Sequence, residues 1–237
     1  MQSLISLTFD DGLRSQLDYA VPVLDEHDLC GTFFLVANRE PLLEDGYSHP
    51  DWHKTDWNDQ DIRLLKSMIL TGHEVGAHSV HHSRQFLEAD PKLEAEESKR
   101  WIENRLETEV TSFCYPFCHF SRSIKKAVVD AGYRQARWGA NGLYYPFQKP
   151  LDRFKVDARH VGKHGTENVD DWIRADSWHV LMFHGIGTLN DGWSPIAEVE
   201  FARQMKELAR YRDSGVVEVV TFKEGAQRFR QQRRLWH

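Results

Sequence analysis

Apolar and polar positions follow two alternating periods along this chain, and the alternation predicts its elements. An apolar run, Leu4-Ile5-Ser6-Leu7, reads as a buried strand that ends at Thr8-Phe9-Asp10-Asp11-Gly12. Apolar residues at 20, 21, 23, 24 and 29 predict a first helix over Asp18 to Leu29, with Pro22 in its first turn or at a kink and Gly31 ending it. Thr32-Phe33-Phe34-Leu35-Val36 is β-branched and aromatic and predicts a second buried strand. Residues 38–57 read as a long loop, of a length that is often functional in a compact domain. A helix capped by Asn58 or Asp59 follows, with Ile62, Leu65, Met68 and Ile69 on one face and Gly72 closing it.

The same alternation continues. His73 to His78 is a short strand, and Asp90-Pro91 starts a charged helix that runs to about Glu109 with Leu93, Trp101, Ile102 and Leu106 inward. Thr111 to Tyr115 predicts a strand, Ser121 or Ser123 opens a helix to Ala131, and Tyr133 to Trp138 predicts a further strand. The segment 139–153 reads as loop, Phe154 to Val161 as a strand and Val169 to Ala175 as a short helix. Val180 to Phe183 is a buried strand, Pro195 to Arg212 a long helix, Val216 to Val220 a last strand, and Phe222 onward a last helix. Strand and helix in turn, with no repeat or linker, argue a parallel sheet or barrel of βα units.

Composition narrows the function classes. At 237 residues and 41% hydrophobic, the chain can bury roughly 70–75% of its unfolded surface without staples. A net charge of −6 gives no general pull toward nucleic acid or anionic membrane. The arginines from Arg228 to Arg234 read as the solvated end of a terminal helix. No run is long enough for a membrane span, and a strand starts almost at once. The lack of a leader ahead of it points to a cytoplasmic location, with secretion or a periplasmic location left open if a leader was trimmed. Cys30, Cys114 and Cys118 make no disulfide framework, and Cys114 and Cys118 read better as small apolar residues at a strand end than as a metal pair.

Three constellations carry chemistry. Asp10 and Asp11 sit where a strand ends, and Gly12 permits the bend that would let adjacent carboxylates do different work. An Asp-Gly pair is equally a common turn signal. His78 and His82 are four apart, a spacing that one helical turn would bring to the same side. Two neutral imidazoles with one carboxylate suit a divalent transition metal with open positions, although clustering is expected in a chain with 13 His. His184 follows the Val180–Phe183 strand, where an imidazole can exchange protons near neutrality. Each group follows a predicted strand, as does Tyr115-Pro116-Phe117, and functional groups of parallel barrels gather at that end.

In order, Thr8-Phe9-Asp10-Asp11-Gly12, His78-Ser79-x-x-His82, a strand ending Tyr115-Pro116-Phe117 and Leu181-x-x-His184 resemble the polysaccharide deacetylase family (NodB homology, carbohydrate esterase family 4). Gly72-His73-Glu74 fits the lead-in to the His pair, and the match runs through most of the chain. The resemblance implies a single-domain α/β fold, a distorted (β/α)7 barrel spanning 1–237, and a metal-dependent hydrolase. Asp11, His78 and His82 would hold the metal, usually zinc, with cobalt, nickel or manganese able to serve. Asp10 would be the general base, the Phe117 N–H an oxyanion donor and His184 the acid that protonates the leaving group.

Two departures stand out. The third motif commonly carries an Arg that steadies the base, and Cys114 occupies its place. Arg137 is the expected substitute, because cysteine cannot make a bidentate bond to Asp10. Ser83 replaces the Pro that often follows the second His, and Asp157 is the candidate to orient His184. Among the aromatics Trp52, Trp57, Trp138, Tyr144, Tyr145 and Trp193, expected around the mouth, Trp138 and Trp193 are the favoured sugar contacts, beside Tyr115. Residues 184–195 form a Gly-rich rim that could act as a lid. The expected reaction is deacetylation of an N-acetylated amino sugar. The alternatives are an O-acetyl esterase on a polysaccharide such as xylan, a cyclic-amide amidohydrolase of the same fold, and a carbohydrate-binding relic.

Overall fold

The first apolar run forms β1 (Ser3–Phe9), every residue of which is buried. The computed structural model describes residues 2–37, 57–162, 168–187 and 192–234. A wide helical turn at Gln16–Ala20 leads into α1 (Val21–Glu26), where Pro22 sits in the first turn. After β2 (Gly31–Leu35), α2 (Asp59–Leu70) is capped by Asn58, whose side chain accepts the Asp61 N–H at 2.9 Å. β3 (Glu74–Ala77) is followed by α3 (Arg84–Ala89), a short helix that periodicity does not predict. The next helix, α4 (Pro91–Leu106), is capped by Asp90 and ends earlier than expected, at a left-handed Glu107.

The inward face of α4 also differs from expectation. Ile102 and Leu106 are buried, but Leu93 is 42% and Trp101 38% exposed. Glu94, Ala95 and Ser98 take the inner positions instead. Two polar residues on that stripe hide its direction from a reading by hydrophobicity. The chain then gives β4 (Ser112–Cys114), α5 (Arg122–Asp130, capped by Ser121), β5 (Gln135–Arg137), β6 (Tyr144–Pro146), β7 (Arg159–His160), β8 (Ser177–Phe183), α6 (Glu198–Asp213), β9 (Val217–Val219) and α7 (Phe222–Arg234). β6 falls in the segment expected to be loop; it is three residues long, half-buried and ends in Pro146.

The sheet runs β5-β4-β3-β2-β1-β8, all parallel. It curls, and the segment holding Val156 and β7 joins its two ends. Val156 bridges Arg137 of β5, while Arg159 and His160 pair with Leu181 and Met182 of β8. The result is the distorted barrel that the resemblance implies. β9 extends the edge of β1 beside β2, and β6 runs antiparallel on the first half of β8. Among the described residues no helix is long and apolar enough to cross a membrane.

Strand alternation divides the core in two. Ile5, Leu7, Phe9, Phe33, Leu35, Phe113, Leu181 and Phe183 face the helices. Leu4, Phe34, Cys114, Trp178, Val180 and Met182 fill the inside. Gly76 is needed there, because a Cβ on it would come within 2.6 Å of the Phe34 ring. The inward parity that places Cys114 and Met182 also reaches Asp10, His78, Arg137 and His184, all at the carboxyl ends of strands.

On the outer face of β8, His179 is fully buried, with Nδ1 3.1 Å from the Trp172 carbonyl. Burial pushes its imidazole down to about 4. The unfolded chain takes up this proton near pH ~6.5, so stability is intact above that value and falls as pH drops toward 4, by about 3 kcal/mol at full effect. Urea midpoints at pH 7 and pH 5 for wild type and His179→Gln test this. The wild type is expected to lose more on acidification; equal losses would rule the assignment out.

Candidate active site

Asp10 donates its N–H to the Phe183 carbonyl at 3.0 Å, which ties the end of β1 to the end of β8. Asp11 (φ 73) and Gly12 (φ 62) are both left-handed. Two such residues in succession break the alternation of the strand, so that neighbouring carboxylates both face one cavity. Asp tolerates this conformation better than most side chains.

His78 and His82 converge by a different route from the helical turn expected of them. Residues 78–82 are a loop with Ser79 (φ 65) and His82 (φ 51) left-handed. Ser79 Oγ accepts the His82 N–H at 2.9 Å. Glu94, wholly buried in the first turn of α4, accepts the N–H groups of Val80 at 2.9 Å and His81 at 3.1 Å, and its other oxygen pairs with His81 Nδ1. His78 Nδ1 lies 2.9 Å from the Cys114 carbonyl and so carries the proton, leaving Nε2 toward Asp11. Asp11 Oδ1 is 3.5 Å from His78 Nε2 and 3.2 Å from His82 Nε2.

This set fits a divalent ion. One ligand atom from each of Asp11, His78 and His82 lies within 4.8 Å of the others. Burial alone would raise the Asp11 carboxyl, but His82, His78 and His184 together hold it well below its ordinary range. Burial would likewise lower His78, yet Cys114, Asp11 and Asp10 raise it well above its ordinary value. Two carboxylates, Asp10 and Asp11, beside two imidazoles give the site the donor chemistry and the negative charge that suit a cation. Asp10, His78 and Cys114 form a second cluster of donors. There the Arg137 guanidinium already occupies both Asp10 and Cys114, which disfavours a metal.

Arg137 and Cys114 are register partners across β4 and β5. One guanidinium nitrogen bonds Asp10 Oδ2 and lies 2.6 Å from Cys114 Sγ; the other lies 2.7 Å from Met182 Sδ. Burial would weaken this cation, but Asp10 and Cys114 outweigh it and raise its pKa. Asp10 Oδ1 is buried and has no hydrogen-bond partner among the described residues. One carboxylate oxygen is therefore held by the protein, and the other is left to the cavity.

His184 Nε2 lies 3.9 Å from Asp10 Oδ2. Burial pushes this imidazole down, against the opposing pull of Asp11 and Asp10. Its ring packs against Trp193 at 5.0 Å and His160 at 5.8 Å. Asp157, the expected orienting acid, does not reach it. That carboxylate accepts from Asn141 N at 2.8 Å, Asn141 Nδ2 at 2.6 Å and Leu143 N at 3.4 Å, and so pins the turn after β5.

The other expected residues divide. Phe117 and Trp193 line the cavity, and Trp193 is 41% exposed. Tyr115 borders it but, against expectation, is buried, its ring packed on Phe113 at 5.3 Å and Phe120 at 5.4 Å on the helix side of β4. Phe117 is left-handed (φ 54), with its ring 4.5 Å from that of His82. Trp138 does not line the cavity; one residue past Arg137, it takes the outward parity and packs on Phe120 beneath Lys155. Tyr144 and Tyr145 pair with the first half of β8, far from the mouth. Trp57 is structural, donating to the Val36 carbonyl at 3.2 Å. Trp52 lies outside the described residues, as does part of the expected rim. Sequence reasoning missed Ser79, Glu94 and Arg84. Glu94 looked like one more charge on a charged helix, and only its burial sets it apart.

The fold and the site define a class: an α/β barrel with a two-imidazole, one-carboxylate cluster and, beside it, a second carboxylate and imidazole, Asp10 and His184, at the carboxyl ends of its strands. The chain belongs to the polysaccharide deacetylase family, whose model matches residues 1–136, more than half of its length. Members of this family use a divalent metal. A curated relative, a peptidoglycan-N-acetylglucosamine deacetylase of Bacillus cereus, is 25% identical over 94% of this chain and 90% of its own length. Among solved structures, a family 4 acetyl xylan esterase from Clostridium thermocellum, in complex with a cobalt ion, superposes with TM-score 0.59 at 17% identity, covering 94% of this chain and 89% of its own. The Xyl-CE4 domain of a multidomain xylanase from the hindgut metagenome of Trinervitermes trinervoides gives TM-score 0.62 at 15% identity over 96% and 91%. At these identities the structural likeness speaks to the fold.

Proposed function

We propose that this protein is a metal-dependent deacetylase that removes acetyl from an N-acetylated amino sugar. The observation that carries the reading is the convergence of Asp11, His78 and His82 beside Asp10, whose Oδ1 has no partner among the described residues. The three would hold a divalent ion, zinc being the simplest choice for such a donor set. When bound, such an ion supplies Lewis-acid polarisation of an acyl oxygen and a water acidified toward neutral pH.

The chain's own residues supply the rest. Asp10 takes a proton at Oδ1 while Arg137 holds Oδ2, so the base cannot rotate out of position. The Phe117 N–H, on its left-handed turn, donates to the developing oxyanion. His184 protonates the leaving nitrogen; burial depresses its pKa, and that makes the imidazolium a stronger acid. The exposed face of Trp193 meets the sugar, whose C–H surfaces suit aromatic rings. The Bacillus cereus relative is a peptidoglycan-N-acetylglucosamine deacetylase, which supports N- over O-deacetylation.

Acetate release from an N-acetylated chitooligosaccharide and from acetylated xylan, by zinc-loaded protein, tests the reading. Release from the amino sugar is expected to dominate. Dominant release from xylan would turn the assignment to an O-acetyl esterase. Release from neither, with a cyclic imide hydrolysed instead, would move it to the amidohydrolase branch.

A further inference from the structure

The cavity contains a cation that the deacetylation chemistry does not use. Arg84 opens α3, directly after the Ser83 that stands where the family often has Pro, and it is exposed and lines the cavity with Asp11, His82 and Phe117. Its guanidinium carbon lies 4.9 Å from the centre of the Phe117 ring. That ring in turn packs on His82, so a single aromatic layer separates the guanidinium from a residue of the donor cluster. Lying over an aromatic ring fixes the plane of the guanidinium while its N–H edges remain free to act as a two-pronged donor.

Among the described residues no carboxylate pairs with Arg84. Glu88, the one acid on its own helix, is bonded to His119 at 2.7 Å. The two acids of the cavity are committed elsewhere, Asp10 to Arg137 and Asp11 to the imidazoles. With a divalent ion at the donor cluster, the two carboxylates are offset by that ion and Arg137 is in excess of them, as is Arg84. A mouth of this sign favours a negatively charged substrate and repels a basic one.

We propose that Arg84 is a specificity-determining residue that binds an anionic substituent, phosphate or carboxylate, on the acetylated sugar or on the unit next to it. The proposal rests on the deacetylase reading for the identity of the sugar, and on the placement of Arg84 for the charge. The substrate class is then an acidic amino-sugar derivative, and a neutral homopolymer is the poorer fit.

The test compares kcat/KM for three probes: a neutral N-acetylated chitooligosaccharide, UDP-N-acetylglucosamine for phosphate, and an N-acetylmuramic acid disaccharide for carboxylate. Wild type, Arg84→Ala and Arg84→Lys are each measured in the zinc-loaded form. In parallel, calorimetric titration measures binding of glucosamine 1-phosphate and of glucosamine, which need no turnover. Wild type is expected to prefer one anionic probe at least tenfold over the neutral one. The preferred probe identifies the anion, and added salt should erode the preference. Arg84→Ala should collapse the ratio through KM, and Arg84→Lys should restore part of it. Equal kcat/KM for neutral and anionic probes in wild type, or a ratio unchanged in Arg84→Ala, would overturn the proposal while leaving the deacetylase reading standing. Binding of glucosamine 1-phosphate that depends on Arg84, with no acetate released from any probe, would uphold the anion site and remove the deacetylase reading.

Discussion

Replacing Arg137 with Ala is expected to lower turnover about a hundredfold or more, within the range attributed to a positioned acid–base group, while zinc remains bound. The guanidinium is the one described cation on Asp10, and it engages Oδ2, leaving Oδ1 to the cavity. Without it the carboxylate can turn and sits buried without its counter-charge. Loss of one partner from a buried pair costs about 3–5 kcal/mol of stability, so the Ala variant needs a companion. Cys114 is the register partner of Arg137 on the neighbouring strand, at the position where the family commonly carries its Arg. The double variant Cys114→Arg, Arg137→Ala moves the guanidinium across one strand spacing. It is expected to recover part of the lost kcat with little change in KM, which a purely structural role for Arg137 would not predict. Full kcat in folded Arg137→Ala would refute the assignment.

Protein purified without chelator should contain nearly one zinc or similar ion per chain, and His78→Ala should not. His78 offers Nε2 to the cluster because the Cys114 carbonyl holds Nδ1. Loss of a supporting partner around a metal costs about 10–100-fold in affinity. Loss of a ligand itself should exceed that, and acetate release should fall with it. Elemental analysis and zinc titration of the two proteins measure the effect. If the wild type binds neither zinc nor cobalt after soaking, the metal-dependent mechanism is wrong, and the cyclic-amide branch or a binding relic becomes the leading reading.

The alternation of strand and helix, the chemistry of Asp10, Asp11, His78, His82 and His184, and their position after strands were all legible in the chain. The reason is that these properties are local. A buried strand needs a short apolar run, a cap needs Asn58 or Asp90 at a helix start, and a turn needs Gly12. Arg137 could be inferred only because a missing Arg left Asp10 without a partner, which made a substitute necessary.

Tertiary structure alone decided the rest. His78 and His82 meet through left-handed backbone held by Ser79 and Glu94, and no spacing rule encodes that loop. Trp138 and Arg137 are adjacent in sequence, yet strand parity sends one outward and the other into the site. Asp157 has the right chemistry to orient His184, but its oxygens are taken by Asn141 and Leu143. Arg84 reads as an ordinary surface charge until the fold lays it over Phe117 at the cavity mouth. The sequence by itself determined the chemistry each group can perform, because side-chain chemistry belongs to each residue. Which of them face one another was decided only by the closing of the barrel, which sets the distances and directions on which that chemistry depends.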